Sequence, residues 1–269
     1  MNDGDLKQDV IRKCTEFDIP LVGFASADRW DVPLFDPWVP EEFRPRSIYP
    51  EAKTVIVIGL PVSLPVVDSA PSIWYHELYK TVNSLLDQYG YRIASLLTDR
   101  GFPSVWVPRD GYGSIEILKE KPVAFFSHRH AAYLAGLGNF GINNTILTHE
   151  YGPRVRFASI FTAAELPSDT ILKDPLCTRC MRCVDACPVN ALDRKEYPYG
   201  LTDKKTCATR SEALNKRFIS PCGICIRVCP VGHDRNQYRR DDPGMYDEDD
   251  NSFSSHHSAW KHVRSYGTR

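Results

Sequence analysis

Residues 177–188 read Cys-Thr-Arg-Cys-Met-Arg-Cys-Val-Asp-Ala-Cys-Pro, four cysteines separated by two, two and three residues and closed by Pro188. This is the bacterial two-cluster iron–sulfur run, in which three thiolates serve one cubane and the fourth serves its neighbour. Two-residue gaps let a short loop reach three corners of a cubane. The three-residue step opens a helical turn that aims the last thiolate away, and Pro188 stops the chain from folding back. A second set follows: Cys207, then Cys222, Cys225 and Cys229, with Pro230 after the last. It repeats the ending of the first, its leading cysteine moved upstream by 14 intervening residues. The spacing gives a crossed assignment. Cys177, Cys180, Cys183 and Cys229 hold one [4Fe–4S] cluster; Cys187, Cys207, Cys222 and Cys225 hold the other. Paired Cys-x2-Cys units also build structural zinc sites, but zinc requires neither the three-residue step and proline nor their partial repeat.

Outward from this module the chain is ordinary in composition. Of its 269 residues 42% are apolar and 25% charged, as in soluble globular proteins. Its 33 basic and 34 acidic residues give a net charge of −1. Near-neutrality argues against a dedicated nucleic-acid surface and leaves only a local basic patch open. No run approaches about 18 consecutive apolar residues, so no membrane span is expected. The N-terminal MNDGDLKQDVIRKC lacks the layout of an export signal, and a cytoplasmic location is expected. Clustered thiols in a reducing compartment point to metal binding or catalysis rather than disulfides.

Residues 5–18 carry Leu6, Val10, Ile11, Cys14 and Phe17 at helical spacing. Cys14 lies on that apolar face and is expected to be a buried, inert thiol. Leu21–Ala25 reads as a short strand and residues 28–50 as an extended surface segment rich in proline and aromatics. Thr54–Leu60, TVIVIGL, has the continuous β-branched character of a strand buried on both faces. A long helix is expected from about Ser72 to Arg100, stopped by Gly101. Ser104–Val107 and Arg154–Thr162 read as further strands. Alternating strands and helices over residues 1–165 argue for an α/β domain. The expected organisation is an α/β domain at 1–170, a small ferredoxin-like two-cluster domain at 171–235, and a loose polar tail at 236–269. A final helix from Ala259 is expected to dock back.

Gly136-Leu-Gly138-Asn-Phe-Gly141 matches G-x-G-x-x-G, yet a helical HRHAAYLA precedes it and a strand-like INNTILT follows. A dinucleotide fingerprint has the opposite context. The glycines instead permit either a tight helix-to-strand turn or close backbone approach to a bulky group. His128 and His130 flank Arg129 just upstream. Tyr151, Gly152, Arg154 and Arg156 follow, able to grip phosphate or carboxylate or simply to face solvent. No Walker, G-x-S-x-G or H-E-x-x-H motif is present, and no Asp-x-His precedes Gly152 as in cobalamin carriers that use a histidine ligand.

The phrases FDIPLVGFASADRW, RPRSIYPEAKTVIVIGLP and AGLGNFGINNTILTHEYGPRVRFASIFT, followed by the cysteine module, occur in an order that resembles the epoxyqueuosine reductase and reductive dehalogenase superfamily. The resemblance covers roughly residues 5–232. It implies a nitroreductase-like α+β core that binds cobalamin base-off, with two clusters passing electrons singly to cobalt. By position it implies that Gly136, Gly138, Gly141, Asn143, Asn144 and Thr145 line the corrin or its nucleotide tail, with Tyr151, Gly152 and Arg154 in the adjoining wall. Ferredoxin or flavodoxin would be the electron donor, and a small molecule or a modified nucleoside the substrate.

Two departures stand out. Epoxyqueuosine reductases carry an aspartate proton donor in a DSAP phrase upstream of the glycines, and the matching stretch here is Lys121-Pro122-Val123-Ala124. Their C-terminal helical-repeat domain, which helps hold tRNA, has no counterpart in the sequence. Tyr112, His128 and His130 are the candidates for proton donation by position, and Arg129 for holding an anionic group. Two alternatives remain open: an electron-transfer protein that reduces a partner's cofactor, and a flavin-dependent iron–sulfur reductase.

Overall fold

The computed structural model describes residues 3–267. Its centre is the apolar run Thr54–Pro61, strand β2, which pairs with β1 (Leu21–Ser26) on one side and β6 (Val155–Thr162) on the other. Strand β3 (Ser104–Val107) closes the far edge beside β6, giving the order β1-β2-β6-β3. All three pairings are antiparallel. The core is thus of the α+β kind, and β2 is buried on both faces because helices cover both.

Register puts Phe24 opposite Ile56 and Ile56 opposite Ile160, so these three share one face. That face is sealed by helix α1 (Asp3–Glu16) through Leu6, Val10 and Cys14, and by α4 through Val82, Leu86, Ile93 and Leu97. Cys14 is buried, and burial pushes its thiol up to about 12, as its place on the apolar stripe predicts. Between β1 and β2 lies α2 (Pro45–Ile48); between β2 and α4 lies α3 (Leu64–Val67). Helix α4 (Ile73–Asp99) runs 27 residues, about 40 Å at 1.5 Å per residue. Ser72 caps it by accepting the Tyr75 amide at 3.1 Å, and Gly101, at φ +87°, ends it.

The opposite face carries Ala25, Val55, Phe157 and Phe161 under Trp30, Phe126 and helix α6 (His128–Leu134), which follows the short α5 (Ile115–Glu120). Residues 28–50 are not extended as the sequence suggests. They hold α2 and short 3-10 turns, with Trp30 only 1% exposed. The INNTILT stretch forms only half of a small hairpin, β4 (Asn139–Phe140) with β5 (Ile146–Leu147).

The cysteine-rich segment wraps four short helices: α7 (Arg182–Asp185), α8 (Lys204–Asn215), α9 (Ile224–Arg227) and α10 (Asp234–Gln237). The partial sequence repeat is also a backbone repeat. Each of α7 and α9 spans four residues and starts from a left-handed residue, Met181 at φ +61° and Gly223 at φ +70°. The expected loose tail is instead folded down. Met245 and His257 are buried, Tyr246 stacks on Trp260 with centroids 5.8 Å apart, and helix α11 (Ser254–Arg264) completes the layer. Among the described residues no helix is long and apolar enough to cross a membrane.

Candidate functional site

One buried arginine joins the cysteine module to the sheet. Arg154, at the entrance to β6, is 0% exposed. Its Nε and Nη2 donate to the Asp234 carboxylate at 2.7 and 2.6 Å, and its other protons reach the carbonyls of Ile226, Cys229 and Val231. Gly152, at φ +52°, lies so close to the module that a Cβ there would sit 1.9 Å from the Val231 carbonyl oxygen. The loop backbone adds amide bonds from His233 to His149 and from Asp234 to Glu150. Gly152 and Arg154, expected in a cofactor wall, therefore serve as a clamp between core and module. Tyr151 sits half-buried in the same loop, its amide bonded to the Thr148 hydroxyl.

The eight module cysteines sort into two recesses. Cys177, Cys180, Cys183 and Cys229 line one with Gly141, Ile142 and Asn143. Cys187, Cys207, Cys222 and Cys225 line one wall of a larger cavity. These are the two sets that the sequence spacing groups together. Burial first, then the neighbouring thiols, push Cys183 up to about 12. Thiolates gathered this closely need strong positive charge beside them, which iron supplies. Backbone and side-chain donors already reach two sulfurs of the second set: the Ala191 amide to Cys187 at 3.3 Å, and Arg210 Nε to Cys222 at 3.2 Å.

The larger cavity, about 520 Å³, lies between the module and the core. Its volume falls within the range of about 300–1,000 Å³ typical of cofactor and ligand sites. Tyr75 and Tyr79, one turn apart on α4, also line it, together with Tyr112 and Arg156. A second cleft of about 540 Å³ adjoins it, sharing Tyr79 and Tyr112. Arg156 lies 4.5 Å from the Tyr79 ring centroid and donates to Asn83 Oδ1 at 3.1 Å and Asp110 Oδ1 at 3.2 Å. Burial raises the phenols of Tyr75, Tyr79 and Tyr112, so all three keep their protons at neutral pH. Burial alone would lower Arg156, but the Asp110 carboxylate beside it holds the guanidinium charged.

At the other end the β4–β5 turn presents Asn143, Asn144 and Thr145 to the cavity. The turn is braced from within. Asn143 Oδ1 accepts from the Thr145 hydroxyl at 2.8 Å, and Asn144, at φ +57°, donates to the carbonyls of Ile142 and Gly200. Arg129 lines the same end, donates to the Asn144 carbonyl and faces Lys204. Gly136 and Gly138 line neither recess. A Cβ on them would lie 2.1 Å from the Thr170 carbonyl oxygen and 2.0 Å from that of Leu147. Their job is close approach of the chain to itself. Gly141 alone of the three faces a cysteine recess.

The two histidines stay out of the large cavity. His128 is held by two bonds whose directions fix its tautomer. Nε2–H donates to the Pro108 carbonyl at 3.0 Å, leaving Nδ1 to accept from the Ser159 hydroxyl at 2.9 Å. His130 bonds Ser127 and the Tyr197 hydroxyl, both at 2.7 Å, inside an aromatic group where Tyr197 stacks on Phe140. Burial lowers His128 to about 4 and His130 to about 3, so both are neutral. The stretch expected to lack an acid, Lys121–Ala124, does border the cavity through Pro122 and Ala124. The letters DSAP occur instead at Asp68–Pro71, where Asp68 is fully buried and bonded to Arg240 and Tyr246. Tyr75, Tyr79, Lys204 and Arg210 are among the cavity residues that the sequence did not single out. Only their helical spacing, one turn between the two tyrosines, hinted at a shared face.

This geometry defines an α+β core carrying a module built to hold two iron–sulfur clusters. Residues 176–233 match the 4Fe-4S dicluster domain. The chain is 26% identical over 193 residues to a tetrachloroethene reductive dehalogenase of Desulfitobacterium hafniense, covering 66% of this chain and 32% of that one. It is 25% identical over 263 residues to the epoxyqueuosine reductase of Bacillus cereus, covering 84% and 64%. A reductive dehalogenase structure solved in connection with B12-dependent dehalogenation superposes with a TM-score of 0.62 at 16% identity, covering 97% of this chain and 36% of that one. The sequence relatives and structural neighbours are therefore epoxyqueuosine reductases and reductive dehalogenases, and the chain spans less than two thirds of the length of these relatives.

Proposed function

We propose that the chain is an iron–sulfur reductase that takes electrons singly through two [4Fe–4S] clusters to a base-off cobalamin in the large cavity. The supporting observation is the position of Cys187, Cys207, Cys222 and Cys225, which form one wall of a cavity whose other walls belong to the core. A cluster on those thiolates would touch whatever the cavity holds. Each set has one exposed cysteine, Cys207 on the cavity side and Cys180 in the other, and a small donor such as ferredoxin or flavodoxin would approach the second set by way of Cys180. A corrinoid bound there would supply a cobalt centre able to accept single electrons and reduce a substrate.

The chain's own residues do the rest. Asn143, Asn144 and Thr145 offer polar contacts at one end, and Arg129 with Lys204 offers positive charge for a phosphate or carboxylate. Neither His128 nor His130 borders the cavity. Reduction with bond cleavage also needs a proton. Tyr79 and Tyr112 hold theirs at the junction of the two clefts, and Arg156 beside Tyr79 stabilises the phenolate left after transfer. His128 and His130 are engaged elsewhere and too weakly basic to be protonated at neutral pH. A modified nucleoside or a small organohalide is the substrate class that the relatives suggest.

The test is anaerobic reconstitution with iron and sulfide, followed by titration with cobalamin and, separately, with flavin mononucleotide. Stoichiometric cobalamin binding with a shifted visible spectrum is expected. Clusters present with no corrinoid bound would sink the proposal, and flavin uptake would select the flavin-dependent alternative.

A further inference from the structure

Behind Cys229 lies a group of buried arginines that the electron path above does not use. Arg235 is 3% exposed. Its Nε donates to the Cys229 carbonyl at 2.7 Å and its Nη2 to the Arg227 carbonyl at 2.6 Å. Nη1 donates to the Arg240 carbonyl at 3.2 Å and to the Tyr246 hydroxyl at 2.7 Å. Each partner is neutral, and among the described residues no carboxylate forms an ion pair with this guanidinium.

The neighbours do not make up the deficit. Arg154 pairs with Asp234, Arg227 and Arg264 share Glu248, and Arg240 pairs with Asp68. Counting Arg235, five arginines, of which Arg154, Arg227 and Arg235 are buried and Arg240 and Arg264 half-buried, face three carboxylates, and Arg235 is the buried one left without a carboxylate among the described residues. An uncompensated buried charge costs several kcal/mol, so the folded protein needs an anion here. Arg154 and Arg235 both donate to the carbonyl of Cys229. A cubane on four thiolates is a net anion and gains a further negative charge on reduction.

We propose that Arg235, seconded by Arg154, is the countercharge of the cluster held by Cys177, Cys180, Cys183 and Cys229, and that it raises that cluster's reduction potential. This rests on the dicluster reading of the cysteines. A fixed cation in a low-dielectric surround favours the added electron, because neither water nor salt screens it. The other cluster has a different device, the direct N–H donors on Cys187 and Cys222, and hydrogen bonds to sulfur are an independent control of potential. The two clusters are therefore tuned separately. Arg235 is a positioning residue that touches no substrate.

The experiment is an anaerobic redox titration of the reconstituted full chain, followed by electron paramagnetic resonance of the reduced clusters. Failure of the parent protein to take up iron and acid-labile sulfide would bring down the dicluster reading itself, whatever Arg235 does. Given intact clusters, Arg235→Gln is expected to reduce the reduced-to-oxidised ratio of one cluster about tenfold at fixed poise, about 59 mV for a one-electron couple. The second cluster stays near its parent value. Arg235→Lys keeps the charge and restores most of the shift. Unchanged potentials in Arg235→Gln, or a shift in Arg235→Lys as large as in Arg235→Gln, would overturn the proposal, the latter by showing that only the fork of hydrogen bonds matters. Should Arg235→Gln lose its iron, retention by Arg235→Lys carries the same support, and loss by both overturns it.

Discussion

Burial that lowers His128 to about 4 and His130 to about 3 also makes stability depend on pH. Unfolded, each imidazole takes a proton near 6.5; folded, neither does until the pH is far lower. The unfolded chain therefore binds more protons between about 6.5 and 3, and stability is full above that window and lost as pH falls through it. Unfolding free energies from urea titrations should drop across this interval by several kcal/mol in total. His128→Gln should flatten part of the slope, and an unchanged slope would contradict the assignment. Arg154 makes a second prediction at this scale. Arg154→Leu leaves Asp234 buried without its partner, and removal of one member of a buried pair typically costs about 3–5 kcal/mol. A loss below about 1 kcal/mol would show that the clamp is not what joins module to core.

Among the elements, the loop at Gly152 and the cap of α4 are the most exposed to test. Gly152→Ala places a methyl against the Val231 carbonyl in a backbone region that L-residues avoid, so the module should loosen and iron uptake on reconstitution should fall sharply. Ser72→Ala removes the cap bond to Tyr75 and should cost about 1 kcal/mol, visible as a modest drop in thermal midpoint. The regular elements were legible because periodic burial is written in the residues. The stripe from Leu78 to Leu97 and the run TVIVIGL leave little choice of structure, and the cysteine spacing announces its own module. The glycine block misled because a glycine says only that something comes close. At Gly136 and Gly138 that something is the chain's own carbonyl. Tyr75 and Tyr79 read as ordinary helix positions, since sequence cannot tell which face of a helix borders an interdomain cavity. The acidic stretch after residue 240 read as solvated, yet its Glu248 and Trp260 answer Arg227, and its Tyr246 bonds Asp68, far away in sequence.

At the scale of the molecule, the C-terminal layer ties the module to the segment before α4: Arg264 donates to the carbonyls of Ser69 and Asp68, while Glu248 and Trp260 meet Arg227. Trp260 is 5% exposed and lies against Arg227 and Arg264 as well as Tyr246. Trp260→Ala should cost about 3–5 kcal/mol and speed the loss of iron to a chelator, measured as bleaching of the visible absorbance. A variant that unfolds earlier yet keeps its iron as long as the parent would separate this layer from the module. The division of cysteines between the two recesses has its own consequence. Cys229 comes from the second half of the module and sits with three cysteines of the first, while Cys187 does the reverse. Neither recess closes until the whole segment from 177 to 229 is threaded, so delivery of iron by a cell's assembly machinery is an all-or-none transaction. Under graded iron starvation the protein should divide into fully loaded and empty chains, with few half-filled ones, so its working fraction would report supply as a count of molecules rather than as a dimming of each.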